Sequence, residues 1–290
     1  MPKKPFIVLG ILVLILLLLS NYLLYDLKKQ DKQRKLEIQN AKTEEIAITL
    51  IEGWNVKDIA HYLDKQGIVK AEDFLKYQLE FDKSQYSFLQ NVPKKYDLEG
   101  FLFPDTYRLF ASIKNNDAKI ASEAVIKKLL DNFENKLPES AEAKAVKQGL
   151  SLYEAITLAS IVEKETGRNA ATPESKVKLD EERKIVAGIF YNRLRTGMAL
   201  ESDATINYVT GKNLPSPTLE DLQINSAYNT YKYPGLPPGP IANPSLSSIE
   251  AVLNPIQTDY YYFLHKQPSG EPVYSKTFEE HVENKFKYLK

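Results

Sequence analysis

Apolar positions along this chain form one long unbroken run, several helical stripes and a few short strand-like clusters. The run is Phe6–Leu19, FIVLGILVLILLLL, continued by SNYLLY, so that no charge interrupts 6–25. A helix of that length rises about 30 Å, the thickness of a bilayer's hydrocarbon core. A cleaved leader needs a small-x-small site after the run, and here the run ends in bulky Tyr22-Leu23-Leu24-Tyr25. An uncleaved single-pass anchor is therefore expected. Lys3 and Lys4 precede the span, whereas Lys28, Lys29, Lys32, Arg34 and Lys35 follow it. That bias does not favour export of the C-terminal part, but long C-terminal domains translocate largely regardless of such charges.

After the span, Asp26–Glu45 is charge-dense and reads as a helical or flexible stalk. The run 46–51 (IAITLI) is strand-like. Val56, Ile59, Ala60 and Leu63 then recur at helical spacing, with Gly67 as a stop, and Ala71–Phe81 predicts a second helix. His61 lies beside the apolar stripe and reads as structural. Leu98–Tyr107 is an aromatic-rich connector, and Ala118–Asn132 and Ser140–Gln148 predict helices. The strongest helical pattern begins at Ser151 and runs through Leu152, Ala155, Ile156, Leu158, Ala159, Ile161 and Val162 to a stop at Gly167. A polar excursion at 168–180 and a helix over Glu181–Leu194 follow. Gly211–Pro255, rich in Gly, Pro, Asn and Tyr, predicts long ordered loops. Tyr260–Leu264 and Val273–Ser275 predict a hairpin around Ser269-Gly270, and Thr277–Leu289 a closing helix. The fold class expected is α+β.

Composition narrows the chemistry. The 38 Lys+Arg balance the 38 Asp+Glu, which argues against a nucleic-acid partner. Cys is absent, so disulfides, thiolate metal sites and a cysteine nucleophile are excluded. Three scattered His make a zinc site a poor expectation, and neither a phosphate-cradling Gly-rich loop nor a G-x-S-x-G elbow is present. No cofactor and no metal are expected. The 18 Tyr and 12 Phe suit either a sugar-binding groove or ordinary packing.

Three clusters could carry chemistry. Glu163 and Glu165 end the apolar helix, and at 100° per residue they point roughly 200° apart. Glu165, one turn beyond Ile161, is expected to face the interior, where burial would raise its pKa and suit a general acid. Glu163 is expected to turn to solvent or to a neighbour such as Lys164. Asp203 and Thr205, in GMALESDATINY, either hydrogen-bond a substrate or, in the case of Asp203, cap a helical turn. Tyr228 and Asn229, before the rigid GLPPGPIANP stretch, read as groove walls or as structural turns.

Together, LEGFLFPDTY (Leu98–Tyr107), LASIVEKETG (Leu158–Gly167), VAGIFYNRL (Val186–Leu194), GMALESDATINY (Gly197–Tyr208), AYNTY…GLPPGPIANP (Ala227–Pro244) and YYFLH…VYSKTFEEH resemble, in order, the endolytic murein transglycosylase family, also called YceG-like. The resemblance implies a short cytoplasmic tail (1–5), a transmembrane anchor (6–25), a stalk (26–45), a small LysM-like module (46–95) and an extracytoplasmic α+β catalytic domain (96–290). It implies a single-pass protein of the cytoplasmic membrane that cleaves nascent peptidoglycan strands between N-acetylmuramic acid and N-acetylglucosamine. The products would be 1,6-anhydromuramyl ends, making the enzyme a terminator of glycan polymerisation. Glycan strands, the membrane and cell-wall synthases of elongation or division complexes are the partners implied. The family's catalytic Glu maps to Glu165, with Glu163 as the fallback, and Asp203, Thr205, Tyr228 and Asn229 are the expected sugar-holding residues. Two departures stand out: the LysM-like region is short, and the stretch from Thr166 to Arg183 is long. Two rivals remain, a two-carboxylate hydrolase pairing Glu165 with Asp203 or Glu163, and a non-catalytic glycan-binding scaffold.

Overall fold

The computed structural model describes residues 18–36, 44–93, 95–167, 172–212 and 214–289. Most of the apolar run, 6–17, lies outside them. Residues 18–36 form a helix, α1, on which Leu18, Leu19, Tyr22 and Leu23 are exposed. No helix among the described residues is long and apolar enough to cross a membrane.

The chain divides into two compact units. The first, Met1–Ile48 with Arg108–Asn116, holds α1, most of the paired strands β1 (Glu45–Thr49) and β2 (Thr106–Phe110), and a 3-10 turn at Ala111–Asn115. β2 was not expected. It begins inside the connector, and its Tyr107 and Leu109 are buried while Thr106, Arg108 and Phe110 are exposed. This is the period-two pattern of a strand with one face covered.

The second unit, Thr49–Tyr107 with Asp117–Lys290, is mainly helical. Helices α2 (Val56–Lys65) and α3 (Ala71–Glu80) pack together, and α3 also packs on α4 (Ala118–Lys136). α2 starts at a capping box, with the Asp58 amide donating to Asn55 Oδ1 at 2.9 Å and the Asn55 amide to Asp58 Oδ2 at 3.0 Å. α5 (Ala141–Lys147) leads to α6 (Leu152–Thr166), itself capped by a Ser151–Glu154 box. On α6, Ile156, Leu158, Ala159, Ile161 and Val162 are wholly buried, because α7 and α9 cover it. Truncating Ile156, Leu158 or Ile161 to Ala should cost about 2–5 kcal/mol.

α7 runs from Pro173 to Thr196, eight residues earlier than the expected Glu181 start. Thr172 caps it, Pro173 supplies a preset φ at its first turn, and Gly197 ends it at φ 70°. Its early turns face solvent and therefore carry little apolar signal. Gly188 is required on α7 because a Cβ there would lie 2.1 Å from the Ile256 carbonyl oxygen. The Gly- and Pro-rich stretch holds mostly loops, as expected, but also a short helix, α9 (Leu246–Leu253), capped by Ser245. α8 (Asp203–Thr210) precedes these loops. The expected hairpin forms from β3 (Tyr262–His265) and β4 (Pro272–Ser275), antiparallel with Phe263 opposite Tyr274, and α10 (Phe278–Tyr288) follows.

Candidate active site

The last turn of α6 carries two carboxylates into opposite surroundings. Glu163 enters the protein interior: it is 3% exposed. Its Oε2 accepts from the Ser245 amide at 2.9 Å, Ser245 Oγ at 2.5 Å and Ser248 Oγ at 2.8 Å, and its Oε1 lies 3.4 Å from Arg183 Nη2. This corrects the expectation that Glu163 turns to solvent or Lys164. The reason is that α7 and the start of α9 cover that side of the helix and bring Arg183 and Ser245 with them.

Glu165 is half-buried and opens into a cleft of about 430 Å³, within the size range of small-molecule sites. Ser202 Oγ donates to Glu165 Oε1 at 2.5 Å. The Ala204 amide, in the first turn of α8, also donates to this carboxyl. Burial raises its pKa above the ordinary carboxylate value, and the nearby Asp203 charge adds to the rise; the Ser202 and Ala204 donors and His265 pull the other way. The outcome is a carboxyl held toward its protonated form with donors already aimed at the anion it becomes.

Asp203 is the first residue of α8, and the helix cap is Ser202, so Asp203 does not cap the turn. Its Oδ1 accepts a short hydrogen bond from the Tyr231 hydroxyl. Burial and the Asp203 charge push the Tyr231 phenol up, which keeps it a donor. Asp203 and Ala204 line the Glu165 cleft together with Tyr208.

The other residues expected at the site hold its frame. Thr205 is fully buried, its Oγ1 2.7 Å from the Ser202 carbonyl and 2.9 Å from Thr230 Oγ1. Asn229 is also fully buried; its Nδ2 donates to the Leu222 and Ile224 carbonyls, each at 2.9 Å, and its Oδ1 accepts from the Tyr231 amide at 3.0 Å. Both side chains spend their hydrogen bonds within the loops. Tyr228 is half-buried and stands behind the cleft, its ring 5.1 Å from that of Tyr208.

Sequence reasoning missed Ser202, Tyr208 and Tyr231, although all three lie in or beside quoted motifs. It also missed a wall supplied by the N-terminus of α2, where Asn55, Lys57 and Asp58 line the cleft. That wall is fastened from beneath. Buried Glu99 accepts from the Val56 amide at 3.0 Å and from Asn243 Nδ2 at 3.1 Å, while Asn243 Nδ2 also donates to the Trp54 carbonyl at 2.9 Å. Asn243 Oδ1 accepts from the Gly100 and Leu102 amides at 3.0 and 2.9 Å. Burial raises Glu99 well above the usual range, with the Asp97 charge adding to the rise.

One strained residue sits at the rim. Glu201 has φ +49°, the sole non-glycine positive φ among the described residues. Buried Arg193 holds this turn through the Leu200 carbonyl at 2.9 Å, the Ala199 carbonyl at 3.1 Å and Glu201 Oε2 at 3.3 Å. Glu201 precedes Ser202, so the strain is stored where the Glu165 donor is aimed.

The YceG-like family model matches residues 24–287. An endolytic murein transglycosylase of Bacillus subtilis (strain 168) is 37% identical over 252 residues, covering 83% of this chain and 65% of its own length. One from Streptococcus pneumoniae serotype 2 is 34% identical, covering 90% of this chain and 49% of its own length. The chain thus spans 49–65% of the length of these curated relatives. The crystal structure of a yceG-like protein from Listeria monocytogenes superimposes with a TM-score of 0.66 at 31% identity, covering 82% of this chain and 75% of that one. With six ordered motifs and a family match running almost end to end, the chain belongs to the YceG-like family.

Proposed function

We propose that this chain is a peptidoglycan lytic transglycosylase that cleaves nascent glycan strands between N-acetylmuramic acid and N-acetylglucosamine, with Glu165 as its catalytic acid and base. The observation that carries this reading is the state of Glu165: a carboxyl in an open cleft, raised by burial, with Ser202 Oγ at 2.5 Å. Protonated Glu165 gives its proton to the glycosidic oxygen as the bond to the muramyl C1 breaks. The sugar left behind carries oxocarbenium character, and the Asp203 carboxylate, which adjoins Glu165 in the cleft and is braced by Tyr231, is assigned to stabilise it. The muramyl 6-hydroxyl then closes on C1 and returns its proton to the Glu165 carboxylate, which Ser202 and Ala204 have meanwhile stabilised. No water is consumed, and the product is a 1,6-anhydromuramyl end. Tyr208, backed by Tyr228, offers an aromatic face for the sugar.

We read residues 46–95 as the shortened LysM-like module, whose α2 contributes one wall of the cleft, and Phe6–Tyr25 as a membrane anchor that keeps the catalytic part outside the cytoplasm. Release of glycan ends near the membrane would make the enzyme a terminator of polymerisation beside cell-wall synthases. A second reading has specific support: Asp203 shares the cleft with Glu165, as a two-carboxylate hydrolase requires. Mass spectrometry of fragments that the full-length protein releases from uncrosslinked peptidoglycan separates the two. Fragments one water lighter than hydrolytic products support transglycosylation, and reducing ends would establish the hydrolase.

A further inference from the structure

The C-terminal motif, YYFLH…VYSKTFEEH, contributes no residue to the walls of the Glu165 cleft, yet one side chain joins it to the turn ahead of α8. Arg193 of α7 is 6% exposed and bonded at both ends of its fork. Its Nε donates to the Tyr261 carbonyl at 2.7 Å, just ahead of β3, and its guanidinium carbon lies 5.1 Å from the centre of the Tyr262 ring. Tyr262 stacks in turn on His281 of α10 at 5.2 Å. Asn192 pins the same segment, its Nδ2 donating to the Thr258 and Tyr260 carbonyls at 2.7 and 2.9 Å.

The other end of the fork holds the turn. Nη1 reaches the Ala199 and Leu200 carbonyls and Glu201 Oε2. The Glu201 backbone, at φ +49°, is one that a side-chain-bearing residue keeps only where its surroundings over-determine it. Thr230, 1% exposed, holds the same turn independently: its carbonyl accepts from the Glu201 amide and its Oγ1 from the Ser202 amide, each at 3.1 Å. Ser202 is thereby fixed through its backbone, with its Oγ 2.5 Å from Glu165 Oε1.

We propose that Arg193 is a positioning residue for the acid: it clamps the strained Glu201 turn to the C-terminal hairpin, so that Ser202 stays within hydrogen-bond reach of Glu165. The hairpin then serves the reaction without touching the substrate. A planar fork is required, because the single point charge of a lysine cannot meet the Tyr261 carbonyl and the turn together. The proposal rests on Glu165 being the acid, and it holds whether the product is an anhydro end or a reducing end.

The test is the pH profile of cleavage of uncrosslinked peptidoglycan by the full-length protein. Arg193→Lys keeps its own charge and retains the Asp203 and His265 charges that act on Glu165. Its kcat is expected to fall by about tenfold, the worth of one charge-assisted hydrogen bond, with KM unchanged. Its descending limb should move to higher pH, as in Ser202→Ala, because Glu165 loses the same donor. The double variant Arg193→Lys/Ser202→Ala should repeat the limb of Ser202→Ala alone, since both changes break one link. Glu201→Gly removes an Arg193 acceptor and frees the turn, so its limb should move the same way while thermal stability is kept or raised. If Arg193→Lys fails to fold, Glu201→Gly decides. An unmoved limb in the deciding variant, or additive displacements in the double variant, would overturn the proposal and leave Glu165 as the acid. An unmoved limb in Ser202→Ala would overturn the reading of Glu165, and the proposal with it.

Discussion

Glu163 and Glu165 stand two residues apart on one helix, and their fates differ completely. Glu163 is 3% exposed and wrapped by an arginine and two serines, so its charge is fully partnered and its role is to tie α6 to α7 and α9. Glu165 is also held against the protein, but its partners are few, and one neighbour is another carboxylate. Burial with a complete set of donors makes a structural anion. Burial with an incomplete set makes an acid. Burial alone therefore does not identify the reactive group on this helix; the count of opposing charges and donors does.

The contrast is broken most severely at the reaction itself. Glu165→Gln keeps the size and hydrogen-bonding reach of the side chain but cannot give up a proton. Cleavage should fall by about 10²–10⁴-fold, the usual worth of a positioned acid, with secondary structure and solubility retained. Wild-type-like cleavage in that variant would remove Glu165 from the mechanism. Glu163→Ala should do the reverse. It leaves Arg183 buried beside a vacated ion pair, and destabilisation of about 3–5 kcal/mol is expected in denaturant unfolding. An E163A protein of native stability that is inactive would reassign the acid to Glu163.

The pH profile sharpens the comparison at finer scale. The rate should fall as pH rises through the Glu165 pKa, since only the protonated form can act as the acid. The Asp203 charge raises that pKa, so Asp203→Asn should move the descending limb to lower pH. The Ser202 hydroxyl lowers it, so Ser202→Ala should move the same limb to higher pH. Opposite displacements are the expected result, read from the position of the limb and not from its height. Displacement of both in one direction would mean that the limb belongs to another group.

These relations divide sharply into those a sequence carries and those it does not. The α6 helix, its start at Ser151 and its end at Gly167 follow from apolar spacing and a capping box, which are local. The roughly 200° between the two glutamates is also local arithmetic. Which face meets which neighbour is not: Arg183 comes from 20 residues away and Ser245 from 82, and they draw Glu163 inward against expectation, while burial raises the Glu165 pKa as expected. Asp203, singled out in the sequence, does line the Glu165 cleft, but Thr205 and Asn229 look equally polar in the sequence and differ in being enclosed by Thr230 and by the Leu222 and Ile224 carbonyls. The first turns of α7 were unreadable because they present Glu174, Lys176 and Lys178 to solvent, while Leu179 is the one buried residue there. α9 was hidden by its brevity within a Pro-rich stretch, although Pro244-Ser245 ahead of an apolar run is a start signal.

The smallest expected effect tests the same contrast through stability instead of rate. A carboxyl whose pKa is raised by folding binds its proton more tightly in the native state than in the unfolded chain. The stabilisation this provides is fully present below the unfolded-state pKa and is lost as pH rises through the raised native value. At neutral pH Glu165 is therefore a liability to the fold. Glu165→Gln, neutral at every pH, should melt higher than the wild type at neutral pH, by roughly 2–4 °C if it relieves an ordinary active-site strain. The advantage should shrink as the buffer is made acidic, because the wild-type carboxyl then takes up its proton. Glu163→Gln should show no such gain at any pH, since its charge is already matched by Arg183 and the Ser245 and Ser248 donors. Parallel melting curves across the pH range for wild type and Glu165→Gln would mean that Glu165 is no more strained than a surface carboxylate, and the distinction between the two glutamates would lose its electrostatic basis.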